Sequence, residues 1–198
     1  MTLYSSRHRF SKFSLRVGAA FSKLPLSPNH WTIITLIPAL AAFWMLVKEQ
    51  FLAAAILLII AGFMDVIDGA VARWTDRASP LGAYLDTIFD RYVEGIIAFG
   101  LLFASLPSFW VPAYAWIFLY FFGGFMTTYA KAAAKEKGIV DEELAGGILE
   151  RAERLIILFA GIILGAVSAV LLTYVIAALA ILSNISALQR IWIARKQA

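Results

Sequence analysis

The chain has 198 residues, 62% of them hydrophobic, and a mean hydropathy of +0.81, whereas soluble domains are about 45–50% apolar. It has no cysteine, which excludes disulfides, thiolate nucleophiles and Cys-ligated metals. The net charge of +4 is spread beside apolar segments rather than gathered in one groove-like patch, so it marks membrane topology and not nucleic-acid binding.

The length suits one domain. Residues 1–29 form an N-terminal juxtamembrane segment and residues 30–198 the membrane domain. The N-terminal segment does not read as a signal peptide, because Arg7, Arg9, Lys12, Arg16 and Lys23 interrupt it. Phe10, Phe13, Val17, Phe21 and Leu24 make a helical stripe with basic residues on the other face. That pattern predicts an amphipathic helix lying in the membrane interface. Pro25 and Pro28 end it.

Six apolar runs follow, at 30–48, 51–73, 81–104, 109–133, 152–171 and 174–193. Each approaches the ~20 residues that a spanning helix needs. The expected fold is therefore all-α and polytopic, with six transmembrane helices. A polar stretch from Ala134 to Glu150 joins the fourth and fifth runs, and a short turn near Thr173 joins the last two. With six spans, the N-terminal arm, the 74–80 loop, the 131–154 region and the C-terminus share one side, and Lys48 is the cation left opposite. The positive-inside rule then places both termini in the cytoplasm.

The second and third runs carry acids. They read Asp65-Val-Ile-Asp68-Gly69-Ala-Val-Ala72-Arg73, then eight residues, then Gly82-Ala-Tyr-Leu-Asp86-Thr-Ile-Phe-Asp90. One carboxylate at membrane depth costs roughly 2.5–3.5 kcal/mol on insertion scales, so four need a compensating partner. Spacings of three and four put Asp65 with Asp68, and Asp86 with Asp90, on single helix faces. Two adjacent helices then bring four carboxylates to one point, and an all-oxygen set suits a hard cation such as Mg²⁺ or Mn²⁺. Asp65 precedes Arg73 by eight residues, about 12 Å along a helix, which places the site near the cytoplasmic face. Gly69 and Ala72 leave room for a close approach, Gly82 does the same on the facing helix, and Arg73 suits a phosphate. Isolated acids of this kind would read as ion pairs with Arg73, Arg77 or Arg91, and Asp76 as a solvated loop residue. Glu94 extends the Asp86–Asp90 face by one turn.

Asp-x2-Asp-Gly-x2-Ala-Arg-x8-Gly-x3-Asp-x3-Asp resembles the signature of the CDP-alcohol phosphotransferases without departure. The resemblance implies a six-span membrane enzyme, a homodimer, in which an alcohol attacks the β-phosphate of a CDP-lipid and CMP leaves. It implies that Asp65, Asp68, Asp86 and Asp90 bind metal and that Asp90 is the general base. It also implies that Gly69, Arg73 and Ser79, with the Asn29 and Thr32 of Pro28-Asn-His-Trp-Thr32, hold the CDP group. A general base is needed because a hydroxyl is a poor nucleophile.

The acceptor is read from cations elsewhere. Lys131, Arg151 and Arg190 lie close to apolar runs, and turned inward they imply an acceptor with its own phosphate. Thr128-Tyr-Ala-Lys131, Gly147-Ile-Leu-Glu-Arg151-Ala-Glu-Arg154 and Gln189-Arg190 resemble segments of the phosphatidylinositol-phosphate and archaetidylinositol-phosphate synthases. That resemblance implies inositol 1-phosphate as acceptor, with glycerol 3-phosphate, or CDP-inositol as donor, as alternatives. A cation transporter is the rival from another class. It fits less well, because the acids cluster near one face and Gly69-x2-Ala72-Arg73 has no use in a cation path. Gly161 and Gly165 form a small-xxx-small pair on the fifth run, read as packing within one subunit.

Overall fold

The computed structural model describes residues 7–140 and 146–198, with side chains from Ser14 onward. Its helices are α1 (Arg7–Phe21), α2 (Pro28–Ile34), α3 (Leu36–Val47), α4 (Phe51–Trp74), α5 (Pro80–Leu102), α6 (Ala113–Glu136), α7 (Arg151–Gly165) and α8 (Ala169–Gln197). Among the described residues no strand forms; a single isolated bridge joins Phe109 and Val111.

Among the described residues, three stretches are long and apolar enough, by length and composition, to cross a membrane: Pro28–Val47, Phe51–Trp74 and Ala169–Gln197. The other three expected spans are helical but fall outside that description for separate reasons. α5 carries Asp86, Asp90, Arg91 and Glu94; α6 is made less apolar by Tyr114, Trp116, Tyr120, Gly123, Gly124, Thr127 and Thr128. α7 has only 15 residues, short of the ~20 that span a bilayer.

Boundaries follow local chemistry. Ser27 caps α2, with the His30 amide donating to its Oγ at 3.4 Å. The helix is interrupted at Thr35 because Pro38 has no N–H to donate to the carbonyl of Ile34. α4 ends where Asp76 turns left-handed (φ 52°) and the Arg77 amide reaches back to the Ala72 carbonyl at 3.0 Å. Asp76 is exposed, as expected. The turn expected near Thr173 lies instead at residues 166–168, and Thr173 is inside α8 with its hydroxyl on the Ala169 carbonyl at 3.1 Å. α6 starts at Ala113 rather than 109, because Trp110 (φ 56°) and Pro112 hold the preceding chain in a turn.

The chain divides into two compact units. The first comprises the described residues up to Ala42 together with Ile56–Ile96. Its core holds Val17, Trp31, Ile67, Ala70 and Val71, with Phe21, Leu26 and Met64 packed against them. Ile37, Leu40 and Ile59 on α3 and α4 are exposed, an outward apolar face that suits lipid and not water.

The second unit comprises Phe43–Ala55 and the described residues from Ile97 on. α8 packs against α6 and against α7. Small residues permit this. A Cβ on Gly123 would lie 2.8 Å from the Asn184 amide nitrogen of α8, and Asn184 donates to the carbonyls of Leu119 and Ala180, both at 2.8 Å. Cβ atoms on Gly161 and Gly165 would meet Val175 and Leu172 of α8 at 2.6 and 2.8 Å. The glycine pair of α7 is thus spent on packing within the chain. In the turn after α3, Glu49 accepts the Ser105 amide at 2.9 Å. The Ser105 hydroxyl first, then that amide, holds its carboxyl below the usual value.

Gly123→Leu places a branched side chain against α8 backbone that cannot retreat. We expect about 1–3 kcal/mol of destabilisation or more, read as a lowered thermal midpoint in detergent, with Gly62→Leu as control because nothing lies within 4 Å of a Cβ there.

Candidate active site

The first unit carries an acidic centre. Helical spacing puts Asp65 and Asp68 on one face of α4, and α5 contributes Asp86. One carboxylate oxygen from each lies within 4.8 Å of the others. Asp68 is buried, and Asp65 and Asp86 are half-buried. The Thr32 hydroxyl of α2 donates to Asp68 Oδ2 at 2.7 Å, fixing one carboxylate by a charge-assisted bond. Three like charges this close repel strongly in a low-dielectric setting. The set offers only oxygen ligands, so it fits a hard divalent cation such as Mg²⁺ or Mn²⁺. Asp90, one turn beyond Asp86 on α5, is not in this trio. Glu94 is buried and pairs with Arg91 at 2.7 Å.

Beside the acids lies an open cleft of about 170 Å³. Asn29, Thr32, Gly69, Arg73, Ser79 and Gly82 all line it, together with Asp68 and Asp86. The start of α5 shapes one wall. Pro80 takes the first helical position, where its missing N–H leaves nothing unsatisfied, and Ser79 Oγ accepts the Gly82 amide at 3.0 Å. A Cβ on Gly82 would lie 3.2 Å from Ser79 Oγ and 3.4 Å from Asn29 Oδ1. Glycine therefore keeps these polar atoms accessible. On α4, Arg73 folds back over Gly69, with Nη1 3.2 Å from where a Cβ would sit. Arg77, Pro28, Ala78 and Ala83 also line the cleft. In the sequence Arg77 reads as a loop cation and an ion-pair candidate for the acids; no spacing marks it as a cleft residue.

The cations read as an acceptor site lie in the second unit. Lys131 is near the end of α6, and Arg151 opens α7. Arg190 of α8 donates from Nε to the Gly146 carbonyl at 2.9 Å and from Nη1 to the Thr127 carbonyl at 2.8 Å. Arg154 is fully buried, with Nη1 3.4 Å from Thr127 Oγ1. Ser186 Oγ accepts the Leu149 amide at 3.0 Å and Gln189 Oε1 the Ile148 amide at 2.9 Å. Gly146 and Gly147, with φ near +120°, give that segment its path into α7. Three successive contacts from α8 thus fix the backbone leading to Arg151. Sequence reading missed Ser186 and Gln189 as supports.

Comparison with known proteins supplies the remaining evidence. The sequence profile of the family described as CDP-alcohol phosphatidyltransferase matches residues 26–194. The archaetidylinositol phosphate synthase of Pyrococcus horikoshii is 36% identical over 183 residues, covering 92% of this chain and 90% of that protein. A crystal structure of Mycobacterium tuberculosis phosphatidylinositol phosphate synthase with CDP-DAG bound superposes with a TM-score of 0.79 at 25% identity, covering 92% of this chain and 94% of that one. The same Mycobacterium protein in complex with manganese and citrate also gives a TM-score of 0.79, at 25% identity and 92% and 88% coverage.

Proposed function

The chain belongs to the CDP-alcohol phosphatidyltransferase family, and from that premise we propose that it transfers the phosphatidyl or archaetidyl group of a CDP-lipid to inositol 1-phosphate, releasing CMP. The observation that carries this reading is the cleft that Asn29, Ser79, Gly82 and Arg73 line together with Asp68 and Asp86 of the acidic trio. The names of the Pyrococcus and Mycobacterium relatives support the choice of acceptor.

Each residue has a role in the reading. Asp65, Asp68 and Asp86, with Asp90 at the edge, hold Mg²⁺ or Mn²⁺; the Mycobacterium relative crystallised with manganese supports a divalent metal. When bound, the cation neutralises pyrophosphate charge. Asn29, Thr32, Gly69, Ser79 and Gly82 seat the nucleotide, and Arg73 pairs with its phosphates, assisted by Arg77. Asp90 takes the proton of the acceptor hydroxyl as its oxygen bonds to the β-phosphorus and the anhydride bond to CMP breaks. Lys131, Arg151 and Arg190 receive the acceptor's phosphate.

The protein is an integral membrane enzyme. We infer six spans, counting α5, α6 and α7 with the three apolar stretches. Both termini and the active site then lie on the cytoplasmic side. The family resemblance supports a homodimer as part of this proposal. Gly161 and Gly165 pack against α8 within the chain.

The test incubates purified protein with CDP-lipid and inositol 1-phosphate, glycerol 3-phosphate, serine or inositol, with CMP as readout. Fastest turnover with inositol 1-phosphate supports the proposal; faster turnover of an unphosphorylated alcohol ends it. Arg151→Ala should raise KM for the phosphorylated polyol roughly tenfold to a hundredfold, since a charge-assisted bond to phosphate contributes about 1.5–3 kcal/mol. The KM for CDP-lipid should stay unchanged.

A further inference from the structure

The cleft's arginine is held from outside its own helix. α1 crosses α4 in very close contact: a Cβ on Gly18 would lie 2.5 Å from the Ala70 carbonyl oxygen and 2.8 Å from Trp74 Cβ. Only glycine permits that approach. Val17, beside it, is buried against Trp31, Ile67, Ala70 and Val71. Phe21, one turn on, meets Trp31 edge-on at 5.5 Å and Phe63 at 6.1 Å. α1 is therefore keyed to α4 in one register and does not merely lie near it.

That register brings Ser14, one turn before Gly18, to the signature arginine. Arg73 Nη2 donates to Ser14 Oγ at 2.8 Å, while Nη1 rests over Gly69. We propose that Ser14 is a positioning residue for Arg73: α1, seated through Gly18, pins the guanidinium at the rim of the nucleotide cleft. The inference rests on the reading of that cleft as the CDP site. The physical gain is preorganisation. Arg73 is exposed on a long flexible side chain; left free, it must lose rotamer freedom each time it grips a phosphate. A hydroxyl that accepts from one Nη leaves the remaining N–H groups aimed, since a guanidinium is planar and rigid. The contact also ties the amphipathic helix to the binding site.

The test compares wild type, Ser14→Ala, Ser14→Thr, Arg73→Ala and the Ser14→Ala/Arg73→Ala double variant. It measures KM for both substrates, CMP release, direct binding of CDP and thermal midpoint. Ser14→Ala should raise KM for CDP-lipid and weaken CDP binding about three- to tenfold, the range of one ordinary exposed hydrogen bond, since it acts on the ligand only through Arg73. KM for the acceptor and the thermal midpoint should stay put. Ser14→Thr keeps the hydroxyl and should restore wild-type values. In the Arg73→Ala background, Ser14→Ala should have no further effect. Wild-type CDP binding in Ser14→Ala, or an equal loss with and without Arg73, overturns the inference and leaves the transferase reading standing. Wild-type protein that neither binds CDP nor releases CMP with any acceptor overturns that reading itself, and this inference with it.

Discussion

Asp90→Asn should lower CMP release by roughly 10²- to 10⁴-fold, the usual contribution of a general base, while CDP-lipid binding stays near wild type. The substitution keeps shape and removes both charge and basicity. Its effect is predicted to be separable because Asp90 stands outside the trio whose oxygens lie within 4.8 Å of one another. Asp65, Asp68 and Asp86 remain to hold the cation, and Arg73 remains to hold phosphate. Single-turnover CMP formation, followed beside a direct measurement of CDP affinity, separates the two roles. Unchanged turnover removes Asp90 as the base. A parallel collapse of affinity and turnover makes its part in holding the cation the dominant one.

That division between Asp90 and the other three acids was not legible in the sequence. Spacings of three and four place each pair on one face, and they predict convergence of all four. They do not say how deep along a helix the crossing falls. The structure brings Asp65, Asp68 and Asp86 together, so the helices meet nearer the start of α5 than its middle. The cleft was more readable: Asn29, Thr32, Gly69, Arg73, Ser79 and Gly82 all line it, Gly69, Arg73 and Gly82 being marked by residue type on the acidic helices and Asn29, Thr32 and Ser79 by the resemblance of the signature. The junction of α7 and α8 was misplaced for a plain reason. Apolar residues continue on both sides of residues 166–168, and hydropathy cannot see a turn that is itself apolar. Contacts between distant segments were equally hidden. Ser14 and Arg73 are 59 residues apart, and no periodicity links them. Arg190 read as a phosphate ligand, and its bonds to the Gly146 and Thr127 carbonyls show a side chain that also holds backbone. One guanidinium can do both, since it carries five donors.

Exhaustive chelation should abolish CMP release, and adding back Mg²⁺ or Mn²⁺ should restore it. The stronger form of this prediction concerns stability, because it does not depend on turnover. Three acids crowded within 4.8 Å repel one another, and in a partly buried site that repulsion is poorly screened. A cation relieves it and binds the folded state alone. At a hundredfold excess over its dissociation constant, one such ion stabilises by about 2.7 kcal/mol. The thermal midpoint should therefore climb with metal concentration and level off. Asp68→Asn should behave in the opposite way to an ordinary core lesion. It removes one of the repelling charges, so without metal the variant should melt at or above the wild-type temperature, and the metal-dependent rise should shrink. Thr32→Val is the companion test. It keeps all three carboxylates but deletes the hydroxyl that donates to Asp68 at 2.7 Å, so metal should still stabilise, with weaker affinity. A wild-type midpoint indifferent to divalent cations, together with turnover that survives chelation, would mean that the acids are held apart by some other partner and that the chemistry needs no metal.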